Sequence, residues 1–449
     1  MRNHSFYHFI LIVLIFLISN NLFAQNPIIK DQFSADPTAR VFEGKMYVYP
    51  SHDIPVPPGS GARANWFCME DYHVYSSENL IDWTDHGVIV SQDKVDWVNS
   101  KAYAMWAPDC IERNGKYYFY FPAPAKDTTL GRGFSVGVAV SNKPYCPFIP
   151  QPAPIKGVRG IDPNVFIDKD GQAYLYWAAR NFYVAKLKDN MVELGNAPQI
   201  IEGLPSKGLK EGPFMFERNG TYYLTYPHVE DSTERLEYAI ADNPLGPFKI
   251  TGVIMDESPG CWTNHQSIIE FKNQWYLFYH RNDLSPQFDK NRSTRIDSLF
   301  FNDDGSIEKV TPTLRGVGIT EASKKIQIDR YSLKSQEGVS LAFLDTLNTF
   351  GGWKIILNNP KAWIQYNSID FGINKFNSVN IRAISKTGGV LQLRLDKVDG
   401  LVIAEVKIPE SSEWTVFNSP VLDHQNGIHN LIVQLVNDDN IEIDWASFK

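Results

Sequence analysis

The sequence predicts an all-β protein in which a five-bladed β-propeller is followed by a β-sandwich of the jelly-roll type. Three observations lead to this prediction. A pattern of a polar or acidic start, an apolar strand, a tight turn and an aromatic-rich strand recurs five times. No long segment carries the apolar period of about 3.6 residues that marks a helix. After residue 317 the repeat stops and short strands of a different spacing follow.

Each copy of the repeat is typical of a β-hairpin. Asn-Gly and Asp-Gly turns supply the positive φ angles of a type I′ turn, and aromatic residues favour pleated strands. A second pair of strands follows, as at 72–76 and 87–90. Four strands in each of five units describe a five-bladed propeller. The copies are 36–49, 106–120, 162–176, 211–226 and 265–279.

Two other architectures fit less well. A parallel α/β fold lacks its helices here, and a β-sandwich alone does not explain the repeat. We therefore place the propeller at 25–318, a linker at 319–325 and the β-sandwich domain at 326–449. The strands predicted in the sandwich are 363–366, 378–383, 390–396, 401–408 and 430–435.

Residues 1–24 have the pattern of a signal peptide. Arg2 precedes an apolar run at 9–18, which is too short to span a bilayer, and polar residues follow it. We expect export to the periplasm or the extracellular medium. With 43 basic and 51 acidic residues, the chain is not expected to bind nucleic acid or, after cleavage, membranes. The sequence leaves the oligomeric state open.

The chain has four cysteines, and their wide spacing does not match a zinc site. Export permits disulfides between them, and buried free thiols are an equally good interpretation. The pairing therefore stays open for Cys68, Cys110, Cys146 and Cys261.

The propeller brings the starts of all five copies together, because the innermost strand of each blade begins near the central axis. Two carboxylic acids across a sugar are the minimum for glycoside hydrolysis: one protonates the leaving oxygen and the other activates water. A third acid nearby raises the pKa of the proton donor by like-charge repulsion. The residues that start the copies are Asp36, Trp106 with Asp109, Asp162, Glu211 and His265.

Each of these residues also has a purely structural interpretation. An Asp before Pro often forms a turn, and Glu211 before Gly-Pro suits an exposed loop. His265 suits a hydrogen-bonded core histidine, and Trp106 suits packing between blades. The recurrence of three acids at equivalent positions favours catalysis for the set, whereas Asp53 and Asp109 are interpreted as structural hydrogen-bond acceptors.

Three strings begin the first, third and fourth copies: ADPTARVF at 35–42, GIDPNVF at 160–166 and KEGPF at 210–214. They closely resemble the catalytic motifs of glycoside hydrolase family 43, and the resemblance covers about residues 30–318. It implies that Asp36 is the general base, Glu211 the general acid, and Asp162 the acid that orients Glu211 and tunes its pKa. It also implies inversion, with base and acid roughly 6.5–9.5 Å apart.

The same resemblance extends to the other pocket residues. His265 matches an axial histidine that holds a hydrated calcium ion or stabilises the pocket floor, and no cofactor is implied for the chemistry itself. Arg292 matches an arginine that is directed at the substrate and at the pKa-tuning acid. Arg295 is a second candidate for this role. The alternative interpretation of Arg292 is a salt bridge at the surface. Trp106 is expected to be a stacking platform for the sugar.

Residues 326–449 resemble a family 6 carbohydrate-binding module, through AWIQY at 362–366, IDFG at 369–372 and IDW at 443–445. Two positions depart from that family: Phe417 stands where a stacking Trp is usual, and Glu442 where an Asn is usual. Trp363 and Trp445 match core residues. Sugar binding by this domain and a capping role therefore both stay open.

Together these features predict an inverting exo-glycosidase that removes terminal α-L-arabinofuranosyl or β-D-xylosyl residues from plant polysaccharides or oligosaccharides. The alternatives are a β-galactofuranosidase or another exo-glycosidase of the same fold, and a non-catalytic, lectin-like propeller. A retaining fructan hydrolase usually starts with a Trp-Met-Asn-Asp-Pro-Asn-like string, which is absent here, and a phosphorylase requires phosphate.

Overall fold

The computed structural model describes residues 26–127, 133–437 and 440–449, so the predicted signal peptide at 1–24 lies outside the described residues. The described chain consists mainly of β-strands, with short 3-10 helices at Gln92–Lys94 and Thr349–Gly351. Within these ranges no helix is long and apolar enough to cross a bilayer. The all-β prediction is confirmed.

Five antiparallel sheets follow one another along the N-terminal part of the chain, each built from consecutive strands. We number these sheets blades 1 to 5. Blade 1 holds β1 (Ala35–Phe42), β2 (Lys45–Asp53), β3 (Met69–Ser77) and β4 (Thr84–Ser91). Blade 2 holds β5 (Asp109–Arg113), β6 (Lys116–Pro124), β7 (Phe134–Ser141) and β8 (Ile149–Pro150). Blade 3 holds β9 (Ile161–Ile167), β10 (Ala173–Ala178), β11 (Phe182–Lys186) and β12 (Gln199–Ile200).

The remaining two blades differ in strand number. Blade 4 holds β13 (Phe214–Arg218), β14 (Thr221–Val229), β15 (Glu234–Ala241) and β16 (Lys249–Met255). Blade 5 holds β17 (Ser267–Phe271), β18 (Gln274–Arg281) and β19 (Ser293–Leu299). Four strands were expected here. Instead, the N-terminal segment lies beside β19, where Ile28 N–H donates to Thr294 O at 2.9 Å and Ser34 N–H donates to Arg292 O at 2.9 Å.

Apolar packing closes the five blades into a ring. The first strands of neighbouring blades contact one another, and β17 contacts β1. Five buried clusters each join two adjacent blades, including one in which Met46 and Val48 of blade 1 pack with Phe278 and Ile296 of blade 5. Burial of apolar surface therefore holds each blade to both of its neighbours.

Four of the five inner hairpin turns have the backbone that the sequence predicted, whereas in blade 3 only Gly171 of the Asp170-Gly171 pair has a positive φ (84°). Both turn residues have positive φ at Glu43 and Gly44 (52° and 76°) and at Asn219 and Gly220 (54° and 85°). Such a turn matches the right-handed twist of the strands that it joins. The inner hairpins of the blades therefore form where the repeat placed them.

Two further sheets form the C-terminal sandwich around one apolar core. The predicted strands are present, although their ends differ by up to a few residues. Thr320–Glu321 of the predicted linker pairs in parallel with the strand Trp363–Asp370. The strands that were not predicted from the sequence are Ile326–Gln327, Leu333–Lys334, Val339–Phe343, Trp353–Leu357, Thr415–Pro420 and Ile441–Phe448. The first sheet contains β20 (Thr320–Glu321), β22 (Leu333–Lys334), β25 (Trp363–Asp370), β27 (Gly389–Leu395), β28 (Val402–Ile408) and β30 (Ile428–Leu435). The second contains β21 (Ile326–Gln327), β23 (Val339–Phe343), β24 (Trp353–Leu357), β26 (Ser378–Ile384), β29 (Thr415–Pro420) and β31 (Ile441–Phe448).

The aromatic residues of the sandwich are placed differently from the expectation. Trp363 and Trp445 are only half-buried, and the Lys325 ammonium lies 4.9 Å from the Trp445 ring. Phe417 packs against the apolar core. Glu442 accepts a hydrogen bond from Lys354 Nζ at 2.7 Å, so its carboxylate is already paired.

All four cysteines are free thiols in the structure. Cys68, Cys110 and Cys261 are buried, and Cys146 is half-buried. Burial raises the pKa of the Cys261 thiol to about 12, which leaves it protonated and unreactive. The three buried cysteines therefore act as small apolar residues in this fold.

Candidate active site

One cavity lies at the end of the propeller where the inner strands begin. Its volume is about 160 Å³, below the roughly 300–1,000 Å³ that is usual for small-molecule sites. Asp36 and Asp162 are the second residues of β1 and β9, whereas Glu211 and His265 lie just before β13 and β17. The cavity is lined by all six residues predicted for the site, namely Asp36, Trp106, Asp162, Glu211, His265 and Arg292.

Two of the acids are held in the left-handed backbone region. Asp36 has a φ of 48° and Asp162 a φ of 56°, and a proline follows each of them. The β1–β2 and β9–β10 ladders both change register at these positions, and such irregularities re-aim a side chain. Strain of about 1–3 kcal/mol per residue is common at functional sites.

Asp36 is a buried carboxylate with several hydrogen-bond partners. Its Oδ2 accepts from Ser51 Oγ at 2.8 Å, and its Oδ1 accepts from Arg292 Nη1 at 2.8 Å. Burial by itself raises its pKa, but the Arg292 charge, followed by electrostatic interactions with His280 and His265 and by the Ser51 hydrogen bond, lowers the pKa to about 2. Asp36 is therefore ionised at neutral pH and can accept a proton.

Asp53 fixes Arg292 in place. The Asp53 carboxylate accepts from Arg292 Nε and Nη2, both at 2.9 Å, and from the Arg292 backbone N–H at 2.8 Å. Arg292 thus contacts Asp36 instead of the expected Asp162, because the fork of its guanidinium is already aligned by Asp53. Arg295 is not a substitute, since it bonds Asp283 through Nε at 2.8 Å.

Asp53 and Asp109 are structural acceptors, as expected. Asp109 Oδ2 accepts from Arg40 Nη2 at 2.6 Å and from Val165 N–H at 2.6 Å. These contacts join blades 1, 2 and 3 next to the cavity.

Glu211 has the opposite protonation preference to Asp36. Burial and the negative charge of Asp36 raise its pKa to about 7, although Arg292 and Lys210 partly offset the shift. Loss of hydration is the larger cause, whereas the sequence analysis assigned the shift to like-charge repulsion. Glu211 therefore keeps its proton near neutral pH, as a general acid requires.

Asp162 is placed to orient Glu211 through the adjacent glycine. Its Oδ2 accepts from Gly212 N–H at 2.8 Å. Gly212 has a φ of 71°, and a Cβ there would lie 2.6 Å from Pro227 Cδ. Burial and the charges of Glu211 and Asp36 raise the pKa of Asp162 well above its usual range. These acids repel one another, so they do not all ionise at neutral pH.

His265 and Trp106 form other parts of the cavity wall. The Nδ1 of His265 lies 4.0 Å from both Asp36 Oδ1 and Asp162 Oδ2. Burial lowers the pKa of His265, so its imidazole is neutral. The Trp106 ring packs on Phe134 with ring centroids 4.4 Å apart, which means that Trp106 both lines the cavity and packs within the fold.

His280, which was not predicted from the sequence, contacts Asp36 directly. The Asp36 N–H donates to His280 Nδ1 at 3.1 Å, and the Nε2 of His280 lies 3.0 Å from Thr263 O. Burial and the Arg292 charge lower its pKa to about 3, so the neutral ring accepts at Nδ1 and donates at Nε2. His280 directly follows the aromatic strand of the fifth copy, and this position was the available signal.

Seven cavity residues and one buried acid were also missed. Glu234 is fully buried and accepts from Asn264 N–H at 2.7 Å. The Arg292 guanidinium lies 4.8 Å from the Phe67 ring. The loop between β2 and β3 gave no repeat signal, so its aromatic residues had no predicted place. The seven missed cavity residues are Trp66, Phe67, Met69, Ala107, Ile161, Trp262 and Thr263.

Comparison with protein families gives two matches. Residues 24–307 match the family model for glycosyl hydrolases family 43, which is more than half of the chain. Residues 331–449 match the model for the family 6 carbohydrate binding module.

Individual relatives agree with the family matches. The chain is 36% identical to xylosidase/arabinosidase 43A of Humicola insolens over 64% of this chain and 99% of that protein. It is 27% identical to an arabinoxylan arabinofuranohydrolase of Bacillus subtilis over 92% of this chain and 90% of the relative.

A solved structure gives the same result. The crystal structure of CoXyl43, a family 43 β-xylosidase/α-arabinofuranosidase from a compost microbial metagenome, is 35% identical, with a TM-score of 0.57, and the match covers 64% of this chain and 97% of CoXyl43. The fold, the family matches and the cavity of three acids lead to one conclusion: the chain belongs to glycosyl hydrolase family 43, carries a C-terminal family 6 carbohydrate-binding module, and is a glycoside hydrolase.

Proposed function

We propose that this hydrolase removes terminal α-L-arabinofuranosyl or β-D-xylosyl residues from xylan-type polysaccharides or oligosaccharides, with inversion at the anomeric carbon. The observation that supports the proposal most directly is the opposite protonation of two acids in one cavity. Asp36 has a pKa of about 2 and Glu211 a pKa of about 7. Near neutral pH the cavity thus offers a proton acceptor and a proton donor together, which hydrolysis requires.

The residues divide the reaction between them. Asp36 accepts a proton from water as the water oxygen attacks the anomeric carbon. Glu211 donates its proton to the leaving oxygen as the glycosidic bond breaks, so charge and protons balance over the step. Asp162 positions Glu211 through the Gly212 N–H, and Arg292 keeps Asp36 ionised. Trp106 contributes a stacking surface for the sugar ring.

The cavity size supports action at chain ends, because about 160 Å³ holds one sugar ring and leaves the rest of the substrate outside. The relatives' names, xylosidase/arabinosidase and arabinoxylan arabinofuranohydrolase, support pentoses as the terminal sugars. The C-terminal module supports a plant polysaccharide or oligosaccharide as the partner.

We infer that calcium, where present, binds at His265 as a hydrated ion. Calcium prefers six to eight oxygen ligands. Among the described residues, His265 belongs to no group of three ligating side chains, so the protein alone forms no calcium cage there. The buried Oε1 of Gln266, the next residue in sequence, accepts no hydrogen bond from any residue that the structure describes, and it suits a bound water. A neutral His265 imidazole with water as the other ligands is the arrangement that fits.

We also propose export, with the signal peptide at 1–24 removed and the mature enzyme in the periplasm or the extracellular medium. The basic and apolar pattern of that segment supports the proposal.

A panel of aryl glycosides tests the proposed function. The purified protein should hydrolyse aryl β-D-xylosides or α-L-arabinofuranosides faster than aryl β-D-galactofuranosides. Proton NMR of the first product should show the α-anomer from a β-xyloside. Release of the β-anomer would contradict inversion. Binding of xylo-oligosaccharides without turnover of any substrate in the panel would favour the lectin-like alternative.

A further inference from the structure

A group of metal-ligand side chains lies on blade 1, apart from the active-site cavity. His52, Asp71 and His73 each offer one ligand atom, and these atoms lie within 4.8 Å of one another. Their side chains are 18%, 15% and 14% exposed, so an ion can reach them from solvent while they are partly desolvated. None of the three residues lines the catalytic cavity.

The strands account for this grouping. Asp71 and His73 are two residues apart on β3, so their side chains share one face of the sheet. The β2–β3 ladder changes register between Ser51 and Asp53, which places His52 at the irregularity. The β3–β4 ladder changes register on both sides of His73. Irregularities of this kind turn side chains away from their regular direction, and here they turn towards one another.

The hydrogen bonds leave ring nitrogens available. Both carboxylate oxygens of Asp85 lie 3.1 Å from His73 Nδ1, and this leaves His73 Nε2 for a metal. His52 Nδ1 lies 2.7 Å from Asp71 Oδ1. The two imidazole rings meet edge to face with centroids 5.2 Å apart. A histidine that binds a metal commonly has its other ring nitrogen on a carboxylate, which fixes the tautomer and the ring orientation.

We propose that His52, Asp71 and His73 bind one divalent transition-metal ion, zinc by preference, with water as a fourth ligand and Asp85 orienting His73. Two imidazoles and one carboxylate suit zinc, whereas calcium and magnesium prefer oxygen ligands. Zinc bonds of about 2.0–2.1 Å place the ligand atoms about 3.3 Å from one another. The ligand atoms here lie within 4.8 Å of one another, and the contact of 2.7 Å between His52 Nδ1 and Asp71 Oδ1 widens as a bound ion replaces their hydrogen bond. Small rotations of these partly exposed side chains bring all three ligand atoms to the required separation.

A second group of His228, Glu230 and Glu237 serves as an internal comparison. There, Arg235 already bonds both carboxylates, with Nε 2.6 Å from Glu237 Oε1 and Nη2 3.0 Å from Glu230 Oε2. A fixed cation therefore occupies the position that a metal would take. Among the described residues, no Lys or Arg contacts the carboxylate of Asp71. The two groups therefore differ in whether a cationic side chain already bonds their carboxylates.

Metal titration of the tag-free, full-length protein tests the proposal, and its readouts do not depend on the proposed hydrolysis. After dialysis against a chelator, Co²⁺ should bind with one-to-one stoichiometry and give the intense visible bands of a four-coordinate site, and Zn²⁺ should displace it. X-ray absorption of the wild-type zinc complex should count two imidazole ligands, which excludes binding at His265 alone. Absence of stoichiometric uptake, or a site with fewer than two imidazoles, overturns the proposal.

Substitutions of single residues test which side chains form the proposed zinc site. His52→Gln and His73→Gln should each weaken Zn²⁺ binding at least about 100-fold in calorimetry, and Asp85→Asn should weaken it about 10–100-fold as an orienting residue. His228→Gln, in the comparison group, should bind as the wild type does. Far-UV circular dichroism checks that each variant is folded. Wild-type affinity in folded His52→Gln and His73→Gln overturns the assignment.

Discussion

At the scale of single residues, the candidate active site contains two carboxyl groups that share a cavity and differ in protonation. Arg292 decides the difference, because its charge is directed at Asp36 through a hydrogen bond of 2.8 Å. Asp53 holds the guanidinium in that orientation with two bonds of 2.9 Å. Within the described part of the chain, no cation bonds Glu211 directly, and burial dominates its pKa. A carboxylate and a carboxylic acid therefore coexist near neutral pH.

This difference predicts the pH dependence of hydrolysis. The general acid must be protonated, and Glu211 has a pKa of about 7, so kcat/KM should be high below pH 7 and fall as the pH rises through that value. Asp36, with a pKa of about 2, stays ionised across the working range. Initial rates on an unactivated xylo- or arabino-oligosaccharide between pH 4 and 9 provide the measurement. An alkaline limb near pH 4.5, the ordinary value for Glu, would contradict the assignment.

Glu211 should also destabilise the fold at alkaline pH. Its folded pKa of about 7 exceeds its ordinary value of 4.5. Its favourable contribution is therefore full below pH 4.5 and is lost as the pH rises through 7. Glu211→Gln removes this loss and should be more stable than the wild type by about 1–3 kcal/mol at pH 8.5, with a smaller difference at pH 5. Urea denaturation of the wild type and the variant at pH 8.5 and at pH 5 measures this difference in the free energy of unfolding. An equal difference at the two pH values would contradict the prediction.

The three acids could be predicted because each starts a copy of a repeat, and the repeat fixes where the copies meet. His280 could not be predicted in the same way. It contributes through a ring nitrogen that faces the Asp36 backbone, and its position after the aromatic strand of the fifth copy does not by itself reveal that contact. The partner of Arg292 was also missed, because only the structure shows that Asp53 directs the guanidinium to Asp36.

At the scale of elements, the turn before β13 determines where Glu211 lies. Gly212→Ala should place a Cβ 2.6 Å from Pro227 Cδ in a residue with a φ of 71°. We expect a loss of about 2–4 kcal/mol, from overpacking and backbone strain together, and a drop in kcat. Gly44→Ala is the matched control, because it has a φ of 76° in a hairpin turn with nothing within 4 Å of the added Cβ.

The Gly44→Ala control separates the effect of backbone strain from the effect of moving Glu211. Gly44→Ala should lose only about 1–2 kcal/mol and keep the wild-type kcat. Thermal denaturation and initial rates of both variants provide the comparison. If Gly212→Ala retained full kcat, the claim that this glycine positions Glu211 would be wrong.

The strands and turns that were predicted best are those that their own residues specify. Asn219 and Gly220 specify their turn by themselves, and the alternation of apolar residues specifies the strands on either side. The missing fourth strand of blade 5 was not predictable, because its place is taken by a segment near residue 28 that is distant in sequence. Edge strands such as Val339–Phe343 were missed because much of their surface is exposed, which weakens the apolar pattern.

At the scale of the whole molecule, the N-terminal segment connects the propeller and the sandwich. Arg330 of the sandwich donates to the Asn26 carbonyl, and its guanidinium lies 3.9 Å from the Trp353 ring. Phe33 and Phe350 pack with ring centroids 5.0 Å apart. The segment that completes blade 5 therefore also supports the sandwich, and loss of this contact should affect both domains.

Arg330→Ala tests this connection. The substitution leaves Asp329 buried, after removal of an ion-pair partner at 3.0 Å, and breaking a buried pair costs about 3–5 kcal/mol. Calorimetry should show a lower Tm, with the sandwich unfolding before the propeller. The exposed pair of Lys397 and Asp399, 3.7 Å apart, provides the control, because Lys397→Ala should change stability by no more than about 0.5 kcal/mol. Equal effects of the two substitutions would contradict the proposed coupling.

The central claim is that Asp36 and Glu211 act as base and acid on one sugar, and leaving-group dependence tests it most directly. We expect Glu211→Gln to lose about 10²–10⁴-fold in kcat/KM on a xyloside or arabinoside with a poor leaving group, and much less on one with a good leaving group, which needs no protonation. Asp36→Asn should lose activity on both, because each requires the attacking water. Equal losses for Glu211→Gln on the two substrates, or wild-type activity in Asp36→Asn, would contradict the account.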